Sequence, residues 1–148
     1  MATNTIKVIN HSDVNYELVA GGTITPGMLI EQYSATQVRA HSTAAGNAEK
    51  MFAVEDELQG NTIDDNYSAT NTVICWLPGR GDIVNAILAH GHNVTTVGTF
   101  LVSNANGHLK AKTSYASTGD VDVEEIVGVA IEAVNATSAA ARIKVRII

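Results

Sequence analysis

The chain has 148 residues, which suits one domain with its own core. Its net charge of −6 with nine Lys and Arg argues against nucleic acid as a partner, and no apolar run is long enough to predict a membrane span. Only 16% of residues are charged, a composition that suits either close contact with other protein or simply a turn-rich β-protein.

Short apolar runs broken by turn residues predict an all-β fold, a sandwich or a barrel. Gly21-Gly22 and Pro26-Gly27 supply turns in the first half, where glycine provides positive φ. The segment 42–48 is expected to form a loop or one loose helical turn. Strands are predicted at 5–9, 16–20, 28–30 and 36–41, and 51–54 is a short apolar run.

In the second half, the polar segment 55–71 is predicted to be a long excursion that has room for one helical turn, and long loops of this kind are often functional. The apolar spacing in 82–90 fits a helix or a strand, and the glycines at both ends favour a strand. The sequence Asn104-Ala-Asn-Gly107 predicts the turn of a hairpin. Strands are predicted at 72–77, 82–90, 98–103, 108–112, 125–134 and 142–148.

A faint internal echo links the two halves. Pro26-Gly-Met-Leu-Ile30, followed by Val38, resembles Val97-Gly-Thr-Phe-Leu101, followed by Leu109. Two such turn-plus-hairpin units would suit a small barrel, although so few positions do not establish a repeat.

The sequence contains no recognised catalytic or cofactor-binding motif, so neither enzymatic activity nor a cofactor is expected. His90-Gly91-His92 could share one strand face and bind a metal, but Gly91 and Asn93 favour a turn with two exposed histidines. The other histidines, including His41, are expected at the surface. Cys75 and Trp76 lie in an apolar run and are expected in the core.

Other local groups are also better explained by ordinary structure. The acidic segments 55–65 and 120–125 lack the offsets of a calcium-binding loop and favour solvated loops. Arg80-Gly81-Asp82 matches a tripeptide known from cell adhesion, but turn chemistry alone explains the glycine. No metal ion is therefore expected.

The order of several segments within residues 51–148 carries a family resemblance. They are 53–67 (AVEDELQGNTIDDNY), 73–82 (VICWLPGRGD), Gly-Thr-Phe-Leu-Val at 98–102, Gly-x-Leu at 107–109, Ile-Val-Gly-Val-Ala-Ile-Glu-Ala-Val at 126–134, and the basic alternating end at 142–147. In this order and spacing the chain resembles the head decoration proteins of tailed bacteriophages, also called capsid cement or stabilisation proteins.

The resemblance implies a small β-barrel or β-tulip-like core and a structural role in the virion. Such proteins are made in the host cytoplasm and bind the outer surface of the expanded capsid, commonly as homotrimers at local three-fold positions. Their partner is the major capsid protein, and they stabilise the head by bridging neighbouring capsomers. Residues 1–15 are then expected to form an extended N-terminal arm and residues 16–148 a single β-rich domain.

Three segments are candidates for contact with neighbouring subunits. The arm could add a strand to a neighbouring sheet edge, the excursion could touch a neighbour, and the basic face of the last strand could meet an acidic surface. The candidate residues are Ile6 and Val8 in the arm, Asp64, Asp65 and Tyr67 in the excursion, and Arg142, Lys144 and Arg146 in the last strand.

Two alternatives come from other classes of protein. A virion-displayed module that binds carbohydrate or a cell surface would need exposed aromatic side chains, and the expected burial of Trp76 argues against it. A small trimeric enzyme would need a convergent polar pocket between subunits.

Overall fold

The computed structural model describes residues 3–113 and 125–148, which fold almost entirely into β-structure. The all-β prediction is confirmed, and the helical turn expected in the excursion is a 3-10 turn at Glu57–Gln59. The strands are β1 (Lys7–Ile9), β2 (Val14–Ala20), β3 (Leu29–Gln32), β4 (Gln37–Ala40), β5 (Met51–Val54), β6 (Thr72–Leu77), β7 (Ile83–Leu88), β8 (His92–Val94), β9 (Phe100–Ser103), β10 (Leu109–Ala111), β11 (Ile126–Ala130), β12 (Val134–Ala136) and β13 (Ala141–Ile147).

The first half of the chain forms a closed five-stranded barrel in the order β2-β4-β3-β5-β6. β2 closes it by pairing in parallel with β4 and antiparallel with β6. Alternate side chains of each strand fill the interior, as the two-residue period of a strand requires. The interior residues are Ala20, Ile24, Ile30, Val38, Met51, Ala53, Tyr67, Val73 and Cys75.

The second half forms a six-stranded sheet in the order β1-β7-β10-β9-β11-β13. β7 also pairs with β13, so five of these strands close into a second barrel, and β1 is added to β7 from outside the ring. β8 and β12 form a separate two-stranded sheet.

The core cluster that fills the second barrel is shared by both barrels, because successive residues of β5 face opposite ways. Met51 and Ala53 point into the first barrel, whereas Phe52 and Val54 belong to the cluster that fills the second. Trp76 on β6 joins Phe52 there and is completely buried, as predicted. The outer wall of the first barrel thus packs on the interior of the second.

The strand pairings reveal an internal repeat. β2, β3, β4, β5 and β6 correspond in pairing order and direction to β7, β9, β10, β11 and β13. Both series contain one parallel pair, β2 with β4 and β7 with β10, and the other neighbours in each ring are antiparallel.

Hydrogen bonds and register agree with this correspondence in detail. Gly27 N–H donates to the Ala53 carbonyl at 2.7 Å, and Gly98 N–H donates to the Ala130 carbonyl at 2.8 Å. Both glycines have a φ of 93°. Residues that lie opposite each other on neighbouring strands also correspond between the two barrels. In the first barrel these pairs are Ile30–Ala40, Ala20–Val38 and Ala53–Cys75. Their counterparts in the second barrel are, in the same order, Leu101–Ala111, Leu88–Leu109 and Ala130–Val145. The echo seen in the sequence is therefore a repeat of the fold.

The structure changes one predicted element. The single strand expected over 125–134 is two strands, because β11 ends at Ala130 and β12 begins at Val134, where the chain leaves one sheet and enters another. Of the second acidic segment, Asp120, Asp122 and Glu124 lie outside the described residues.

Candidate protein-interaction surface

The two candidate residues of the expected N-terminal arm lie against this chain's own second barrel. Ile6 is completely buried in the shared core, and its backbone N–H donates to both oxygens of the Glu55 carboxylate at 3.2 Å. Val8 is half-buried within β1. β2 starts at Val14, before the expected end of the arm. Whether residues 1–15 also reach a neighbouring subunit stays a prediction.

The three candidate residues of the excursion 55–71 are one core residue and two exposed carboxylates. The Tyr67 hydroxyl donates to the Val54 carbonyl at 2.6 Å, and burial raises the pKa of Tyr67 to about 12. Asp65 is exposed, and hydrogen bonds from the Thr62 backbone and hydroxyl hold the pKa of its carboxyl below the usual value. Asp64 is also exposed, so these two acids can reach a partner while Tyr67 fills the first barrel.

The three cations of β13 differ in what they contact. Arg142 is half-buried, and its guanidinium donates to the carbonyls of Pro26 and Ile63. Burial lowers the pKa of Arg142, and the nearby Asp64 carboxylate, 4.0 Å away, opposes that shift. The other two cations lie further along the strand: Lys144 pairs with Glu132 at 3.7 Å, and Arg146 is exposed.

The structure brings part of the predicted set together. Asp64, Arg142 and Lys144 line one shallow cavity of about 400 Å³, shared with Thr3, Asn4, Ile63, Asn85 and Glu132. Ile6 and Tyr67 belong to two different core clusters. Two cations and two carboxylates line the cavity as the pairs Arg142–Asp64 and Lys144–Glu132, so it offers a polar surface with its charges already partly paired.

A second candidate surface, which the sequence reasoning missed, is the start of β2. Residues 14–17 are exposed on both faces of the strand, and the apolar side chains of Val14 and Tyr16 are 47% and 54% exposed. The alternation of Val14, Tyr16 and Leu18 was visible in the sequence, but nothing local indicates that an edge of this strand lacks a neighbour.

The open side of β2 can be assigned from its hydrogen bonds. Ala20 N–H points to β6, where it meets the Asn71 carbonyl, and Val19 N–H points to β4, where it meets the Thr36 carbonyl. Because donors alternate along a strand, the N–H groups of Asn15 and Glu17 point to the β4 side. β4 pairs only with the last two residues of β2, and in the described ranges no other strand pairs along that side. The backbone groups of Asn15 and Glu17 are therefore open to a partner.

A groove of about 470 Å³ starts at the outer face of β2 and continues across β6 and β5. Its ionisable side chains are three glutamates and one lysine, and Lys7 is already bound to Asp13 and Asn15. The hydrogen bond from Lys7 holds the pKa of Asp13 at about 2. The groove is lined by Thr5, Lys7, Asn15, Glu17, Val54, Glu55, Glu57, Leu58 and Ile74.

The remaining chemistry-bearing groups serve the fold. Asp82, in the adhesion-like tripeptide, is completely buried and accepts backbone N–H bonds from His11, Ser12 and Gly79. Cys75 is buried, as predicted, and burial raises the pKa of its thiol to about 12.

Two further findings concern metal-binding groups and histidines. Among residues 3–113 and 125–148, no group of three His, Cys, Asp or Glu side chains is arranged to hold a metal ion. The surface position expected for His41 is wrong, because the ring is buried, with Nδ1 2.8 Å from Ser103 Oγ and Nε2 2.9 Å from the Asn47 carbonyl.

Comparison with known proteins gives a match at the level of fold. No family model and no curated protein matches the chain. Among solved structures, the chain is similar to the N base of the head fiber protein gp8.5 of bacteriophage phi29, with a TM-score of 0.57 and 9% identity over 93% of this chain and 95% of that one. At this identity the match shows a shared fold over nearly the full length of both chains. Within the described residues, no helix is long and apolar enough to cross a membrane.

Proposed function

We propose that this chain is a non-enzymatic structural protein of a phage virion that attaches to the outer surface of the head. The observation that carries the proposal is the shared fold with the N base of a phage head fiber protein across 93% of the chain. The order of sequence segments over 51–148, which resembles head decoration proteins, supports it from a separate direction.

The finer proposal is that the protein binds the major capsid protein, as a homotrimer at local three-fold positions, and bridges neighbouring capsomers. Specific protein contacts bury about 1,600 Å² in total, and repeated contacts on a lattice raise the effective concentration of each. The exposed edge of β2 and the exposed cation Arg146 are surfaces through which such contacts can be made. A low fraction of charged residues supports the same role, because charges are depleted at interface cores.

The alternative of a carbohydrate-binding or cell-binding module has weaker support. Trp76 is completely buried, and its indole N–H donates to the Ser12 carbonyl at 2.7 Å, so it is not available to stack on a sugar. Tyr33 is partly exposed, but the Arg39 guanidinium lies over its ring at 5.1 Å. The exposed aromatic side chains left for this alternative among the described residues are Tyr16 and Phe100. Binding of the purified protein on a glycan array would revive this alternative.

The proposal is tested with purified protein and phage heads that lack it. Native mass spectrometry is expected to give a trimer, and the protein is expected to co-sediment with expanded heads and to raise the temperature at which they rupture. A monomer that does not bind the heads would overturn the proposal. Unexpanded heads are the matched control, and they are expected to bind less protein.

A further inference from the structure

The internal repeat allows the two barrels to be compared residue by residue at the strands that begin them. Tyr16 of β2 pairs with Cys75, and Val84 of β7 pairs with Val145. Because Cys75 and Val145 are equivalent across the repeat, Tyr16 corresponds to Val84 and Glu17 to Asn85. The starts of β2 and β7 therefore occupy the same position in their barrels.

The surroundings of these equivalent segments are opposite. β1 lies on the open side of β7: Lys7 pairs with Val84, and Asn85 N–H donates to the Ile6 carbonyl at 2.9 Å. Val84 and Asn85 are buried, at 0% and 2% exposure. On the same side of β2, the described residues supply no such strand, and Tyr16 is 54% exposed. One barrel has a filled edge and the other an empty one.

We propose that the open edge of β2, from Val14 to Leu18, binds an extended segment of another polypeptide, which enters antiparallel to β2 as β1 does to β7. The N–H and C=O groups of Asn15 and Glu17 supply the backbone hydrogen bonds, as in other cases of strand addition. This binding depends only on the open edge of β2, so it does not require that the chain attaches to a capsid.

The side chains around the edge define the chemistry of the guest segment. Guest residues that lie opposite Val14 and Tyr16 are on the same face of the sheet as these two side chains. Because Val14 and Tyr16 present exposed apolar surface, we expect apolar side chains at these alternate positions of the guest. The positions between them share the face of Asn15 and Glu17, whose side chains line the groove together with the exposed Glu57. A basic residue there complements the groove, whose lysine already contacts Asp13.

A second copy of this chain fits less well as the occupant. Paired through its own β2, it would bring another Glu17 to a groove that already contains three glutamates, and the segment 14–18 contains no cation. Like charges placed close together across a strand pair are destabilising. The guest we infer is therefore a segment with alternating apolar and basic side chains from a different protein.

The segment that fills the equivalent edge provides a probe with this chemistry. In the register that β1 keeps on β7, the residue in the place of Ile6 lies opposite Glu17 and the residue in the place of Lys7 lies opposite Tyr16. A synthetic peptide with the sequence of residues 3–10 and these two residues exchanged, TNTKIVIN, therefore places an apolar side chain opposite Tyr16 and a lysine opposite Glu17. Covalent attachment gives the chain's own β1 a high effective concentration, so the free peptide is directed to β2 rather than to β7. Titrated into the full-length protein, it is expected to shift the NMR amide signals of Asn15 and Glu17 and to slow their hydrogen exchange about ten-fold or more.

Two variants at one position separate strand addition from general attraction. Glu17→Pro removes an outward N–H without removing a bond to β6 and is expected to weaken peptide binding about ten-fold, since edge strands tolerate proline in this position. Glu17→Ala keeps the N–H and is expected to weaken binding less. A peptide with glutamate in place of its lysine, TNTEIVIN, is expected to bind more weakly than the lysine peptide at low salt, which tests the charge without altering the protein.

Three results would overturn the proposal. The first is the absence of any shift at Asn15 and Glu17 up to about millimolar peptide. The second is peptide binding that shifts β7 instead and is unchanged in Glu17→Pro. The third is protection of both amides in the free protein as its concentration rises, with dimers in sedimentation, which would assign the edge to a second copy.

Discussion

Asp82 is the clearest case of a single residue that joins separate parts of the chain. Its carboxylate accepts N–H groups from His11 at 2.7 Å, Ser12 at 3.2 Å and Gly79 at 2.8 Å. These donors lie on the link between β1 and β2 and on the link between β6 and β7. Burial opposes ionisation of Asp82, but the three donors favour it more, so the pKa of its carboxyl lies below its ordinary value of 3.8.

Replacing Asp82 by Asn is expected to lower the free energy of unfolding by about 2 kcal/mol at pH 7, because hydrogen bonds to a charged acceptor are lost. Since the folded-state pKa of Asp82 is depressed, its contribution is complete above its unfolded-state value of about 3.8 and is lost as pH falls through the folded-state value. Urea unfolding at pH 7 and at lower pH should therefore show the variant and the original chain converging in acid. Asp64→Asn, at an exposed carboxylate, is the control, and an equal loss in both variants would contradict the assignment.

Arg142 and Arg146 share one face of β13 but serve different purposes. Arg142→Met is expected to cost about 1.5–3 kcal/mol of unfolding free energy, because two carbonyls that its guanidinium holds are left without that donor. Arg146→Met is expected to change stability by less than about 0.5 kcal/mol. Thermal unfolding of the pair checks this, and equal losses would show that Arg142 does not tie β13 to the first barrel.

At the scale of elements, the repeat supplies a matched pair of glycine turns. Gly27 and Gly98 both have a φ of 93°, but a Cβ on Gly27 would lie 2.7 Å from the Asn85 carbonyl oxygen, whereas a Cβ on Gly98 would meet nothing within 4 Å. Gly98→Ala is expected to cost about 1–2 kcal/mol through backbone strain alone. Gly27→Ala is expected to cost about 3 kcal/mol or more, because the second barrel must also move. Urea unfolding measures both, and equal costs would contradict the contact between turn and barrel.

The local elements could be predicted from the sequence where the physical cause is local. The alternation of Ile143, Val145 and Ile147 with cations predicted a strand with one buried face, and β13 confirms it. The segment 104–107 predicted a hairpin turn, and the antiparallel pairing of β9 with β10 confirms it. The break after Ala130 was missed because apolar residues continue on both sides of it. What ends β11 is a change of sheet partner, which the local pattern does not encode.

The candidate surfaces were harder to predict for a related reason. The arrangement of Asp64 beside Arg142 depends on contacts far apart in sequence, and the open edge of β2 depends on the absence of a neighbour. His41 shows the same limit, since it is satisfied inside the fold by Ser103, which lies on the other barrel. Only the echo around Gly27 and Gly98 marked the repeat in the sequence, because the two halves share turn geometry while most of their side chains differ.

At the scale of the whole molecule, the shared core predicts that the two barrels unfold together. Phe52 and Trp76 belong to the first barrel by strand pairing but pack with residues that fill the second, such as Val145. If either barrel unfolded alone, the apolar contact between Phe52, Trp76 and the core of the second barrel would be exposed to water. Because that exposure is unfavourable, the stabilities of the two barrels are coupled.

Phe52→Ala is accordingly expected to lower the free energy of unfolding by about 3–5 kcal/mol and to do so in both barrels at once. Native-state hydrogen exchange should show the slowest amides of β6 and of β13 losing protection by the same factor, and Trp76 fluorescence and far-UV circular dichroism should give one coincident transition. Leu58→Ala, at a side chain that is 95% exposed, is the control and should leave protection unchanged. If β13 kept its protection while β6 lost it, the barrels would be independent units, and the filled edge of β7 would then have to be stabilised by β1 without help from the first barrel.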